Sequence, residues 1–221
     1  MVMKVLIFSD VVCPWCYLGV TRFERAAALH TIITGEAVEI SLRAYQLDPE
    51  APAGSVPTLD VYESKFGGRE RAEAVVAKVE SAGRITGIDF NFAEAVRGNT
   101  FDAHRVLTWA ATIGSGVQRD LAQELWRAYF LEGADICDHD TLAARAGIVG
   151  LDIDEADAIL AGDDFAGDVH MQVGSARELG ISSVPMFVID GKYSIQGAQS
   201  QDDYVQALGK IAAEIRDSAG E

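Results

Sequence analysis

The chain has 221 residues and a formal charge of −16, with 34 acidic against 18 basic side chains. That balance argues against nucleic acid or an anionic membrane surface as a partner. The length allows one large domain or two small ones, and 49% hydrophobic content is enough for a full core.

Val5-Leu6-Ile7-Phe8 reads as a buried strand. Cys13-Pro14-Trp15-Cys16 follows, and a helical pattern runs from Pro14 to about Ile33, closed by Gly35. Val38, Ile40, Leu42 and Ala44 then alternate with Glu39, Ser41 and Arg43, the pattern of a half-buried strand. Residues 48–57, with three prolines, read as a linker. From about Leu59 to Leu179 the pattern is helical, with breaks near 67–68, 83–99, 113–116, 133–138, 147–152 and 162–165. Residues 184–190 and 192–196 read as strands of a hairpin turning at Asp190-Gly191. A last amphipathic helix spans about 200–216, with Tyr204, Val205, Leu208, Ile211 and Ile215 on its apolar side. Two strands before the helical block and two after it can share one mixed sheet. The block is then an insertion whose ends lie close together.

Met1-Val2-Met3-Lys4 leads directly into the first strand with no secretory pattern, and no apolar run is long enough to span a bilayer. A cytoplasmic protein is the simplest expectation. In that compartment a disulfide is transient and catalytic rather than structural.

Strand, then CxxC, then helix is the context in which this spacing means dithiol redox chemistry. A zinc site would need a second ligand pair, but the chain has only one further cysteine, Cys137, and its histidines are scattered; no metal is expected. Pro14 suits the first helical position, which places Cys13 at the N-cap. Free backbone N–H groups and the helix dipole favour a thiolate there. Thiols in such positions ionise at roughly pH 3.5–7.5, against about 8.5 for a free one. Cys13 is therefore assigned as nucleophile. Cys16, one turn further in, is assigned as the resolving thiol, and Trp15 offers a partner an apolar surface. Far away, Ser183-Val184-Pro185 opens the third strand. Proline is awkward there unless the strand begins at it or its bond is cis.

Together these residues resemble the thioredoxin fold and, more narrowly, the DsbA family. Asp10–Gly19, Asn99–Arg105, Gly180–Pro185 and Asp190–Gln199 are similar to its FrnE-like branch of dithiol–disulfide isomerase-like proteins. The Asn-Thr-x-x-Ala-His-Arg segment is shared with 2-hydroxychromene-2-carboxylate isomerases and kappa-class glutathione transferases, which usually carry serine at the position of Cys13. The resemblance implies an α/β thioredoxin-like core, 1–55 and 179–221, with an inserted all-helical domain, 56–178. It implies that Val184 and cis-Pro185 pack against Cys13 and bind an extended peptide or glutathione. It implies that Pro14, Trp15, Asn99 and His104 line the site.

The implied activity is thiol–disulfide oxidoreductase or isomerase, acting on disulfide- or dithiol-containing protein or small-molecule substrates. No bound cofactor is implied, glutathione being a redox partner or co-substrate, and the chain is expected as monomer or homodimer. The alternatives are a glutathione-dependent isomerase or transferase on a small aromatic substrate, and a peptide-binding, chaperone-like module. Among the remaining residues, Asn99 reads as a helix cap that can also line the site, and His104 either shuttles a proton or binds substrate, or is a histidine paired within the protein. Asp10 is a proton acceptor near Cys16 or a turn residue. Cys137 is read as a free or half-buried cysteine on a loop, the alternative being a third redox thiol; Trp126, Tyr129 and Phe130 are read as packing, on a helix that in the family borders the substrate cleft.

Overall fold

The computed structural model describes residues 2–219. β1 (Val2–Ser9) is the inner strand of a four-stranded sheet of order β2-β1-β5-β6. Its apolar run suits a strand flanked on both sides. It pairs in parallel with β2 (Ala37–Ala44), Val5 opposite Ile40, and antiparallel with β5 (Met186–Ile189), Val5 opposite Ile189. β6 (Tyr193–Gln196) completes the hairpin. The parallel pair requires a crossover, which α1 (Pro14–Thr34) supplies. α1 stops at Gly35, whose φ of 72° is open to glycine at no steric cost.

Between β2 and β5 the chain forms β3 (Val56–Pro57), α2 (Thr58–Phe66), α3 (Arg69–Thr86), β4 (Val96–Arg97) and then five helices. These are α4 (Phe101–Ile113), α5 (Ser115–Glu132), α6 (His139–Ile148), α7 (Ile153–Ala161) and α8 (Ala166–Glu178). α9 (Gln201–Ala219) closes the chain and packs on α1. Their shared core centres on Phe23, Phe187 and Tyr204, with ring centroids 4.7–5.2 Å apart.

Helices α4, α5 and α8 pack against β2. β2 is an edge strand, and its unpaired backbone is covered by side chains of those helices. Gln118 accepts from Leu42 N–H at 2.9 Å and donates to Leu42 C=O at 3.2 Å, while Gln172 accepts from Ala44 N–H at 2.8 Å. A buried edge left unpaired would cost about 1–3 kcal/mol per group, so these two glutamines are polar residues with a structural reason to sit on packed helix faces. One continuous hydrophobic cluster runs from Met3 and Ile7 through Tyr17 to Leu125 and Phe130.

The helix boundaries follow the glycine breaks with two differences. α3 does not stop at Gly83 but continues to Thr86 and ends at Gly87, φ 83°. Gly83 is required by proximity instead, since a Cβ there would lie 2.6 Å from the Ile88 carbonyl and the Phe90 ring. The pairing of β3 with β4, inside segments read as linker and break, is new. Two-residue strands carry no periodicity to read. Among the described residues no helix is long and apolar enough to cross a membrane.

Candidate active site

Cys13 is the N-cap of α1, with extended backbone (φ −96°, ψ 110°) and Pro14 at the first helical position. Its N–H bonds to Asp10 C=O at 3.1 Å, closing the turn from β1. Its own carbonyl accepts from Cys16 and Tyr17 N–H at 3.0 and 3.2 Å, and no side chain caps the helix. The sulfur therefore stands at the positive end of a 21-residue helix. Both cysteines are thiols. Cys13 is 4% exposed and Cys16 fully buried.

Burial pushes the Cys16 thiol well above its ordinary range, and a hydrogen bond to Cys13 and the nearby Asp10 carboxylate push it the same way. Cys16 is thus held as a protonated donor toward Cys13. Asp10, 1% exposed, is fixed from three sides. It accepts from Leu47 N–H at 2.8 Å, its carboxylate lies 3.3 Å from His104 Nε2, and its carbonyl accepts from Trp126 Nε1 at 3.3 Å.

The loop before β5 closes the site. The Val184–Pro185 peptide is cis, and the Cys13 thiol donates to the Val184 carbonyl at 3.8 Å. Val184 precedes the first laddered residue, Met186, so its backbone lies outside the sheet pairing. Close approach of this loop to α1 depends on Gly19, where a Cβ would lie 2.8 Å from the Pro185 ring. A cleft of about 210 Å³ opens at Cys13. Pro14, Trp15 and Val184 form one side, and Tyr62, Phe66 and Val79 of α2 and α3 form the other. Leu47, Lys65 and Arg97 connect it to a neighbouring groove of about 650 Å³.

The fold brings Cys13, Pro14, Trp15 and Val184 to one cleft, with Pro185 following Val184 through the cis peptide and Cys16 buried one turn into α1. Asn99 and His104 sit elsewhere. Asn99 ties loops together: it accepts from Phe101 N–H at 2.9 Å and donates to Pro49 and Ala51 carbonyls at 3.2 and 3.0 Å. It faces a separate cavity of about 740 Å³, not the Cys13 cleft. His104 is buried behind Asp10, its Nε2 also 3.1 Å from the Tyr45 carbonyl. Asn99 pairs locally with Phe101 N–H and otherwise with the 49–51 loop, while Asp10 and Tyr45, the partners of His104, come from remote segments that no local pattern announces.

Cys137 lies in the turn before α6, its thiol 3.2 Å from the Asn99 carbonyl and raised by burial to about 11. It borders the Asn99 cavity and is absent from the Cys13 cleft. Trp126, Tyr129 and Phe130 are at most 1% exposed and belong to the core. Sequence reasoning missed Tyr62, Phe66, Leu47 and Arg97. Arg97, a charge beside a glycine in a short segment between helices, carried the only signal, and a faint one.

A dithiol at a helix N-terminus, met by a loop from across the sheet, defines a thioredoxin-fold protein of thiol–disulfide chemistry. Residues 4–209 match the DSBA-like thioredoxin domain, and the chain belongs to that family. A probable DsbA oxidoreductase from Streptomyces coelicolor is 33% identical, with a TM-score of 0.88 over 96% of this chain and 91% of that one. The uncharacterized protein YwbO of Bacillus subtilis is 26% identical over 94% of this chain and 96% of its own length. The cytosolic disulfide reductase DsbM of Pseudomonas aeruginosa, also solved with glutathione, shares the fold at 18% identity. Its TM-score is 0.66, over 95% of this chain and 98% of that one.

Proposed function

We propose that this protein is a thiol–disulfide oxidoreductase in which Cys13 and Cys16 are the redox pair and the Val184–Pro185 loop binds substrate. One observation carries the reading. The Cys13 thiol donates to the Val184 carbonyl at 3.8 Å where the cleft opens, with Cys16 one helical turn further in.

In the reducing direction the Cys13 thiolate attacks one sulfur of a substrate disulfide. The substrate S–S bond breaks, one thiolate leaves, and a mixed disulfide with Cys13 forms. Cys16 loses its proton and attacks the Cys13 sulfur. The second substrate thiolate leaves, and the two electrons it carries are balanced by a new Cys13–Cys16 disulfide. The reverse sequence oxidises a substrate dithiol. Cys16, protonated while the mixed disulfide forms, becomes nucleophilic only as its proton departs, and the Asp10 carboxylate is the buried acceptor beside it. Val184, in the loop before β5 and outside the sheet pairing, presents its backbone to an extended substrate that lies across the Cys13 cleft. Isomerisation of wrongly paired disulfides uses the same first step, release coming from a substrate thiol instead.

Glutathione is the proposed small-thiol partner, supported by the glutathione-bound form of DsbM, and a cytoplasmic setting is supported by the same relative. No resident cofactor is needed for this chemistry.

Trapping tests the pairing of roles. Cys16→Ser leaves the attacking thiol without its resolver, so incubation with an oxidised peptide should accumulate a covalent adduct at Cys13, removable by dithiothreitol. Mass spectrometry of the intact protein reads it. Failure to form the adduct, or its attachment to Cys137, would contradict the assignment.

A further inference from the structure

We infer that the cleft at Cys13 is built for a thiol or disulfide that carries a carboxylate, with Arg97 as its receptor. The inference rests on the redox reading above and adds the residue that would recognise the carboxylate of such a partner.

Arg97 lies on β4 and is 5% exposed. A charge so enclosed is ordinarily paired. Arg105, equally buried, shows what that means: it donates to Asp102 at 2.8 Å and to the Asp164 carbonyl at 2.9 Å. The Arg97 guanidinium, by contrast, has no side-chain hydrogen bond and no ion pair among the described residues, and it reaches water only through the cleft and groove it lines. Asp48 and Asp60 border the same groove, yet neither forms an ion pair with it. Tyr62 and Tyr129 lie close enough to feel the charge of Arg97, and burial pushes both phenols upward.

The same arginine lines both the Cys13 cleft and the adjoining groove. A small ligand joined to the Cys13 sulfur therefore has its other end beside a guanidinium with no acceptor of its own. Guanidinium binds carboxylate through two parallel hydrogen bonds, a geometry lysine does not match. Lys65, exposed at the junction of the two spaces, adds a second positive charge at the mouth. On a chain of charge −16 an approaching anion is repelled in general. A local pair of cations is what makes this cleft an exception.

Matched alkylating agents separate charge from reactivity. Iodoacetate and iodoacetamide both form a thioether with the Cys13 thiolate and release iodide, but only the first is anionic. Their rate ratio at Cys13 in the reduced protein should fall about tenfold in Arg97→Gln, the scale of one charge-assisted contact. It should fall less in Arg97→Lys, and should decline with added salt in the unmodified protein. Reduction of 3,3′-dithiodipropionate relative to its diamide should shift in the same direction.

The ratio is internal to each variant, so a change in overall reactivity does not mimic it. If Arg97→Gln does not fold, Arg97→Lys and the salt series give the same reading. Fast iodoacetamide alkylation with a ratio unmoved by Arg97 or by salt overturns this inference alone. Slow alkylation of Cys13 by both reagents overturns the redox reading, and this one with it.

Discussion

Cys13→Ser should lower disulfide reductase activity by roughly 10³-fold or more, the scale on which loss of a covalent nucleophile acts. The hydroxyl keeps the shape of the N-cap, and serine is a good capping residue, so the helix and the fold survive. What is lost is the nucleophilic sulfur at the helix N-terminus. No other thiol can replace it. Cys16 is fully buried and shifted upward, and Cys137 is raised to about 11 and absent from the cleft. The measurement is insulin reduction with dithiothreitol or glutathione as electron source, alongside a melting curve. Retention of full activity in a folded Cys13→Ser protein would show that the chemistry lies elsewhere.

Trp126→Ala should strongly destabilise the protein. Trp126 is 1% exposed, stacks on Tyr17 with ring centroids 5.7 Å apart, and donates to the Asp10 carbonyl. Truncating a buried tryptophan costs about 3–5 kcal/mol through lost burial and the cavity left behind. The Asp10 carbonyl, deprived of its donor, adds about 1–3 kcal/mol. For a chain of this size that lowers the melting temperature by roughly 10 °C or more. Trp126→Phe keeps most of the packing and isolates the hydrogen bond, at about 1 kcal/mol. Because the indole holds the turn that presents Cys13, activity should fall with stability in the alanine variant. Denaturant unfolding of both variants reads the difference. Equal stability of the alanine variant and the parent would mean that the indole is not part of the core.

The parts of this architecture visible in the sequence are those specified locally. The Cys13–Cys16 spacing, Pro14 at the first turn and Gly35 at the last fix α1 without reference to the rest of the chain. Glycine breaks divide the helical block closely for the same reason. Alternation marks β2, and the Asp190-Gly191 turn marks the hairpin. What stays hidden is decided by tertiary position. The β3–β4 pair is too short to show a period, so the buried Arg97 on it looks like any loop arginine. Gln118 and Gln172 look like flaws in their helices' apolar faces until the edge of β2 is laid beside them. Asn99 and His104, read through the resemblance as lining the site, have their polar atoms turned to the loops at 49–51 and to Asp10 and Tyr45. Gly83 reads as a helix end and is instead a close contact. For the two glutamines and His104 the residue type was informative, but the partner came from a distant segment.

The central claim is that Cys13 and Cys16 interconvert between dithiol and disulfide as a unit. Equilibrating the protein in buffers of varied reduced-to-oxidised glutathione ratio, followed by acid quench and mass mapping of the cysteines, tests it most directly. The account predicts a single reversible two-electron transition that yields a Cys13–Cys16 disulfide and leaves Cys137 a free thiol. A protein that keeps both thiols across the whole range, or that ends as a stable glutathione adduct at Cys13 with Cys16 unoxidised, would contradict it.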